Sequence, residues 1–278
     1  MDTYATISVK GINAQNSVEK AYEVLLETEN KMNSFNIDSP LNKGEYDKDL
    51  INVLERAVYF GDLSNGLFDI TIKPLTELWN INGENPAVPT NKQIEDAISK
   101  VNYKNLSGAR IDLGGIAKGY ATDIAVLKLK ECNIKDAIIN IGGNVYALGT
   151  KKIGLQNPTK ENGEYLGIIT IKDCSVVTSG AYQRYFEQNG KKYHHIINPK
   201  TGYPAETDLL SATVIDKSAT DADALSTILF MLGKDEAIKF AKNNDIRYIL
   251  IDKNNYIYSS DNVDFKITDE NYHHYLEE

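Results

Sequence analysis

The chain has 278 residues, of which 42% are hydrophobic and 25% charged, with a formal net charge of −9. A core of useful size can be buried from this composition without disulfides or a structural metal. The acidic balance argues against a nucleic-acid partner, which would need a basic footprint, and two cysteines, Cys132 and Cys174, are too few for a cysteine-based metal site.

Residues 3–10 alternate as a half-buried strand does, and residues 16–33 carry Val18, Ala21, Tyr22, Leu25, Leu26 and Met32 at helical spacing behind Ser17 as N-cap. A polar loop is expected over 34–46, a helix over 47–64 with Asp47 near its start, and an irregular stretch over 65–90 punctuated by Pro74, Pro86 and Pro89. Thr90 caps a short helix over 91–100, and a strong helix is predicted over 116–131. Strands follow at 138–149, 152–156, 166–172, 174–178, 192–197 and 209–215. Helices at 221–232 and 234–243, strands at 247–252 and 255–259, and a surface tail at 268–278 complete the pattern. Strands outnumber helices and several adjoin as hairpins, which favours an α+β fold with antiparallel sheets in a single domain spanning 1–278. No apolar run reaches the length of about 18 residues that a membrane-spanning helix needs. Met1 leads directly into the first alternating run, so no export signal is visible.

Several segments carry chemistry. In Ile111-Asp112-Leu113-Gly114-Gly115-Ile116-Ala117-Lys118 a strand end, a glycine pair and a helix N-terminus follow one another. That order suits an anion, and equally a tight turn into a core helix. The Walker pattern and GxGxxG are both absent. Asp223 and Thr227 lie four apart on one helix side and suit a hard cation such as magnesium completed by substrate phosphates. Plain N-capping by Thr220 or Asp221 is the competing reading. His194 and His195 face opposite ways on a strand, so one of them can enter a given cleft as a proton carrier. Phe68 beside Asp69 could bracket a nucleotide ring or simply pin an irregular segment to the core with Trp79. Thr178-Ser179-Gly180 with Arg184 offers hydroxyls at a turn, without a serine-hydrolase elbow.

Taken in order, Met1-Asp2-Thr3, GLFDITIKPLTELW, IDLGGIAKGYATD, INIGGNVYALG, VTSGAYQRYF, HHIINPKTGYPA and DADALSTILFMLG resemble the ApbE family of FAD:protein FMN transferases, from residue 1 to about 235. The resemblance implies a T-fold-like core with FAD, the substrate, in a cleft. It implies flavin-nucleotide contacts from Met1, Leu67, Phe68, Asp69, Asp112 and Lys118, with Phe35 as the aromatic of an early loop. It implies magnesium on the Gly115 carbonyl, Asp223 and Thr227, and transfer involving His195. Leu67 stands where the family usually has alanine, and Asp2 where glycine is commoner. The implied reaction moves FMN from FAD to a Thr or Ser hydroxyl of an acceptor flavoprotein, a subunit of a redox pump or of extracellular electron transfer, with release of AMP. An FAD pyrophosphatase and a non-catalytic FAD-binding protein are the alternatives. The family resemblance also implies an extracytoplasmic address, often as a lipoprotein, with peripheral membrane association through an anchor that this chain lacks.

Overall fold

Asp47 caps its helix as expected, its side chain accepting from the Leu50 N–H; several other helix starts differ. The structure is a computed structural model and describes residues 3–160, 163–182 and 184–275. Strand β1 (Ala5–Lys10) leads into α1 (Ala14–Met32), whose N-cap is Asn13 in the left-handed conformation at φ 59°. Ser17 lies inside that helix, its hydroxyl donating to the Asn13 carbonyl. The expected loop over 34–46 contains α2 (Pro40–Lys43), capped by Ser39, and α3 (Lys48–Leu63) follows.

The stretch over 65–90 is more regular than expected. The Asp69 carboxylate caps a 3-10 turn (Ile70–Ile72), and Pro74 sits in the first turn of α4 (Lys73–Trp79), where its missing N–H costs nothing. Thr90 and Gln93 form a reciprocal capping box at α5 (Asn91–Ile98), and α6 covers Ala117–Glu131. Residues 111–113 before α6 belong to no strand.

The expected strand over 138–149 is two strands, β2 (Asp136–Ile141) and β3 (Asn144–Gln156). Gly142 and Gly143 stand between them at φ 55° and 94°, the pair of positive angles that a tight two-residue hairpin demands. In contrast, the expected strands 166–172 and 174–178 are one, β4 (Tyr165–Gly180). It bends at Asp173, φ 50°, whose carboxylate accepts from the Gly149 N–H. A hairpin of β5 (Tyr185–Gln188) and β6 (Lys191–His194) forms a separate two-stranded sheet. The remaining elements are β7 (Leu209–Asp216), α7 (Ala219–Leu232), α8 (Lys234–Asn243), β8 (Arg247–Asp252), β9 (Tyr256–Ser259), β10 (Phe265–Ile267) and β11 (His273–His274). Ser218 caps α7, in place of Thr220 or Asp221. The tail expected at the surface is partly structural, since β11 pairs in parallel with β9 and Tyr272 is buried.

The main sheet runs β1-β2-β3-β4-β7-β8-β9-β11, with β10 beside β4, and every pairing except β9–β11 is antiparallel. This is the α+β architecture. Helices cover one face: Ala212 and Val214 of β7 point into a core with Leu54, Phe60, Ile116, Ile228 and Phe230. The opposite face packs Leu166, Ile169, Val176, Ile249 and Ile257 under Tyr272. No helix among the described residues is long and apolar enough to cross a membrane.

Helices α6 and α7 meet at their N-termini, and each receives a carboxylate from the other. Asp123 of α6 accepts from the Ala219 and Thr220 N–H groups and from the Ser218 and Thr220 hydroxyls at 2.6–3.1 Å. Asp223 of α7 accepts from the Gly119 N–H at 3.0 Å. A Cβ on Gly119 would stand 2.2 Å from the Ala219 carbonyl oxygen, so the crossing closes only with glycine there. Gly119→Ala is expected to force the helices apart and cost about 2–3 kcal/mol, as overpacking at a backbone contact does. Urea denaturation checks this; a loss under about 0.5 kcal/mol, the scale of an ordinary surface substitution, would show that the crossing is not so constrained.

Candidate functional site

The site grows out of that helix crossing. Lys118, in the first turn of α6, places its Nζ 3.1 Å from Oδ1 and 3.4 Å from Oδ2 of Asp223, and 3.1 Å from the Gly114 carbonyl oxygen. Asp223 is buried, so the ammonium and the Gly119 amide supply the partners its charge requires. One turn further along α7, the Thr227 hydroxyl donates to the Asp223 carbonyl oxygen at 3.3 Å and lies 3.1 Å from the Ser179 hydroxyl. Gly115 closes the group. A Cβ there would meet the Phe68 ring at 3.0 Å and the Thr227 hydroxyl at 3.9 Å.

Asp112 shapes the Gly114-Gly115 turn. Its Oδ1 accepts from the Gly114 N–H at 2.9 Å, and its Oδ2 from the Thr76 hydroxyl at 2.9 Å, which ties the turn to α4. Asp69 is committed similarly: Oδ1 accepts from the Thr71 amide and hydroxyl, and Oδ2 from the Tyr103 amide. Both carboxylates hold local backbone in place. Phe68 is buried, edge-on to Phe60, and Leu67 is buried beside it.

Phe35 stands apart from this contact network. It is 75% exposed on the loop after α1, as is Ile37 at 82%. The loop backbone is nonetheless pinned inward, because the Asn42 amide donates to the Ser34 and Asn36 carbonyls and the buried Lys73 ammonium donates to Ser34. Burial holds the Lys73 pKa below its ordinary value. Met1 lies outside the described residues.

His195 follows directly on β6. Its backbone N–H and its Nδ1 both face the Arg184 carbonyl oxygen, at 3.1 and 3.3 Å. A carbonyl only accepts, so Nδ1 carries the hydrogen and Nε2 is the unprotonated nitrogen that holds the lone pair. Desolvation depresses the His195 pKa from 6.5 to about 4, and the positive charges of Arg184 and Lys118 push the same way. His194 points to the opposite side, as strand alternation requires. It donates to the Ala205 carbonyl at 2.9 Å and packs edge-on to Phe230. The β5–β6 hairpin is seated by stacking, Phe186 on Tyr193 and Tyr193 against Trp79.

A hard cation suits the oxygen donors at this crossing, the Asp223 carboxylate and the Thr227 hydroxyl with Ser179 adjoining, and the Gly115 backbone lies close to Thr227. Lys118 already stands among oxygens of that kind. Among the described residues there is no group of three His, Cys, Asp or Glu able to hold a metal, so such an ion would depend on ligand phosphates and water for its remaining positions. Lys73 was not predicted as a site residue, and Ser179 was read only as one of the hydroxyls that Thr178-Ser179-Gly180 offers at a turn. Ser179 sits in the hydroxyl-rich strand end and Lys73 in the Phe-Asp block, but only the fold turns one toward Thr227 and the other toward the Phe35 loop.

Comparison with known proteins places these residues in context. The family model described as the ApbE family matches residues 1–250. The FAD:protein FMN transferase of Treponema pallidum is 34% identical over 223 residues, covering 69% of this chain and 62% of its own length. The FAD:protein FMN transferase of Klebsiella pneumoniae is 34% identical, covering 84% of this chain and 80% of its own. Among solved structures, the ApbE protein of Thermotoga maritima superimposes with a TM-score of 0.83 at 30% identity, over 94% of this chain and 97% of that one. The flavin transferase ApbE of Vibrio cholerae gives 0.81 at 25%, over 98% and 95%.

The His195 environment makes a pH prediction. Its folded pKa lies below its unfolded value, so the neutral form favours the fold. That stability is fully present above pH 6.5 and is lost as pH falls through about 4. NMR titration of labelled imidazoles is expected to place the His195 midpoint near 4. An ordinary midpoint of about 6.5 would show that the ring is not desolvated.

Proposed function

The chain belongs to the ApbE family, and on that footing we propose that it is an FAD:protein FMN transferase. In this reading FAD lies with its pyrophosphate at the α6–α7 crossing, near Lys118 and the Gly114-Gly115 turn. The hydroxyl of a Thr or Ser on an acceptor flavoprotein attacks the FMN phosphorus. The P–O bond to the AMP phosphate breaks, a phosphoester forms on the acceptor, and AMP leaves.

The observation that carries this reading is the meeting of Lys118 and Gly115 with Asp223 and Thr227, segments about a hundred residues apart in the chain. It combines a cation, a buried anion and neutral oxygens around one small space. Asp223, Thr227 and the Gly115 carbonyl would hold magnesium, which when bound neutralises charge developing on the phosphates. Lys118 and the turn backbone add fixed positive potential. His195 receives the acceptor's proton on Nε2, the ring atom left free by the Nδ1–H contact to Arg184. A ring that stays neutral well below pH 7 is in the right form for that role. The acceptor hydroxyl must lie on an exposed, flexible segment, such as one presented by a redox-pump or extracellular electron-transfer subunit. An extracytoplasmic site of action, with peripheral membrane association, rests on family resemblance alone.

Intact-mass measurement on the protein with FAD, magnesium and several candidate acceptor domains tests the proposal. The expected result is a gain of one FMN on one acceptor, abolished by EDTA and by Asp223→Ala. His195→Ala is expected to slow transfer by about 10²–10⁴-fold, the usual contribution of a positioned general base. Release of FMN and AMP with every acceptor unmodified would identify a pyrophosphatase instead. Intact FAD throughout would leave only a binding protein.

A further inference from the structure

The two oxygens of the Asp223 carboxylate are held differently. Oδ2 accepts from the Gly119 amide of α6 at 3.0 Å, a bond within the backbone crossing, and has the Lys118 ammonium at the longer distance of 3.4 Å. Oδ1 is held by the Lys118 ammonium at 3.1 Å. The Lys118 side chain keeps 23% of its surface open, whereas that of Asp223 keeps 4%. The ammonium can therefore swing out on its flexible stem, while the carboxylate stays where Gly119 fixes it. The ammonium also touches the Gly114 carbonyl at 3.1 Å. A carboxylate and a turn carbonyl around one positive charge is the same kind of oxygen set that a hard divalent cation takes.

We propose that Lys118 is the resident counter-ion of Asp223 and competes with a divalent cation for Oδ1, so that a pyrophosphate arriving at the α6 N-terminus must draw Lys118 away before the metal binds tightly. The proposal rests on the reading that this crossing takes a pyrophosphate substrate with a divalent cation. Two positive charges cannot share one buried carboxylate oxygen without strong mutual repulsion, so either occupant weakens the other. A pyrophosphate gives Lys118 an alternative anionic partner and leaves Asp223 in need of a new cation. Substrate and metal then strengthen each other's binding, a coupling that is reciprocal by thermodynamic necessity. The arrangement also keeps the buried Asp223 paired when the site is empty of substrate, which protects the helix crossing from an uncompensated charge. Magnesium alone would bind poorly, and the site would assemble in the order nucleotide, then metal.

The test uses manganese as the probe ion, followed by electron paramagnetic resonance at pH 8, with ADP as the pyrophosphate-bearing anion. Lys118→Met removes the competing charge, and nucleotide-free protein is expected to bind manganese at least about 10-fold more tightly than wild type, equivalent to about 1.4 kcal/mol. Lys118→Arg retains the charge and is expected to stay close to wild type. ADP is expected to tighten manganese binding by a larger factor in wild type than in Lys118→Met, because contacts between ADP and the metal are common to both and only the displacement of Lys118 differs. Thermal melting supplies an independent readout: Lys118→Met melts lower without metal, and manganese restores more of its melting temperature than it adds to wild type. Lys118→Gln repeats each measurement if the methionine variant does not fold.

Unchanged or weaker nucleotide-free binding in Lys118→Met and Lys118→Gln, or an equal ADP effect in variant and wild type, would overturn the competition. If wild type transfers FMN in a metal-dependent manner yet shows either of these results, the competition alone has failed. If neither wild type nor variant binds manganese with or without ADP, or if Asp223→Asn binds it as wild type does, the reading of the site beneath the proposal has failed with it.

Discussion

Gly119 passes so close under the Ala219 carbonyl that a Cβ would not fit between them, and the rest of the site depends on that passage. Two helix N-termini converge there, each with amides lacking intrahelical partners and each the positive end of a dipole. Left alone, that convergence would be unfavourable. Asp123 and Asp223 resolve it by crossing over, each satisfying the start of the opposite helix. Arg56 of α3 adds a third tie, gripping Asp221 with two bonds of 2.6 and 2.7 Å. The geometry that locks the helices is therefore also the geometry that buries a carboxylate next to Lys118 and turns Thr227 toward Gly115.

Carboxylates around the site divide into two kinds. Asp69, Asp112 and Asp123 spend their oxygens on backbone amides and neighbouring hydroxyls, and act as scaffolding for turns that glycines and a proline leave short of partners. Asp223 is the exception, because one of its oxygens faces the partly exposed Lys118 ammonium rather than an amide. A carboxylate surrounded by fixed donors is a poor place for a metal, since each donor would have to be given up. One held by an ammonium on a flexible stem can exchange one positive partner for another.

His195 illustrates the same economy at the other wall. The hairpin that ends in it pairs with no strand of the main sheet and is seated instead by the aromatic stack running from Phe186 through Tyr193 to Trp79. That seating lets a single carbonyl, Arg184, fix both the backbone and the ring of His195. The result is a neutral imidazole with a defined tautomer, its basic nitrogen free. His194, one residue earlier, has both ring nitrogens bonded and serves packing.

Local chemistry carried much of this in the sequence. Periodicity and capping residues located α3, α5, α6, α7 and α8, and the alternation located most strands, because side-chain period and cap chemistry act over a few neighbours. The Gly142-Gly143 turn was also written locally, as two glycines between strands, and was hidden by the apolar run on either side. The helix Lys73–Trp79 was obscured by Pro74, which reads as a breaker until Asp69 is seen to start the turn. Site residue types could be read too: an acid and a hydroxyl four apart, a lysine after a glycine pair, a histidine at a strand end. What the sequence could not determine was which carboxylate holds turn backbone and which is paired with a lysine. Asp112 and Asp223 look alike as residues. They differ because one meets the Gly114 amide and the Thr76 hydroxyl, while the other meets Lys118 from a segment about a hundred residues away. Propensity and capping are properties of adjacent residues, whereas the partner of a buried charge is set by helix packing, and only tertiary structure decides that.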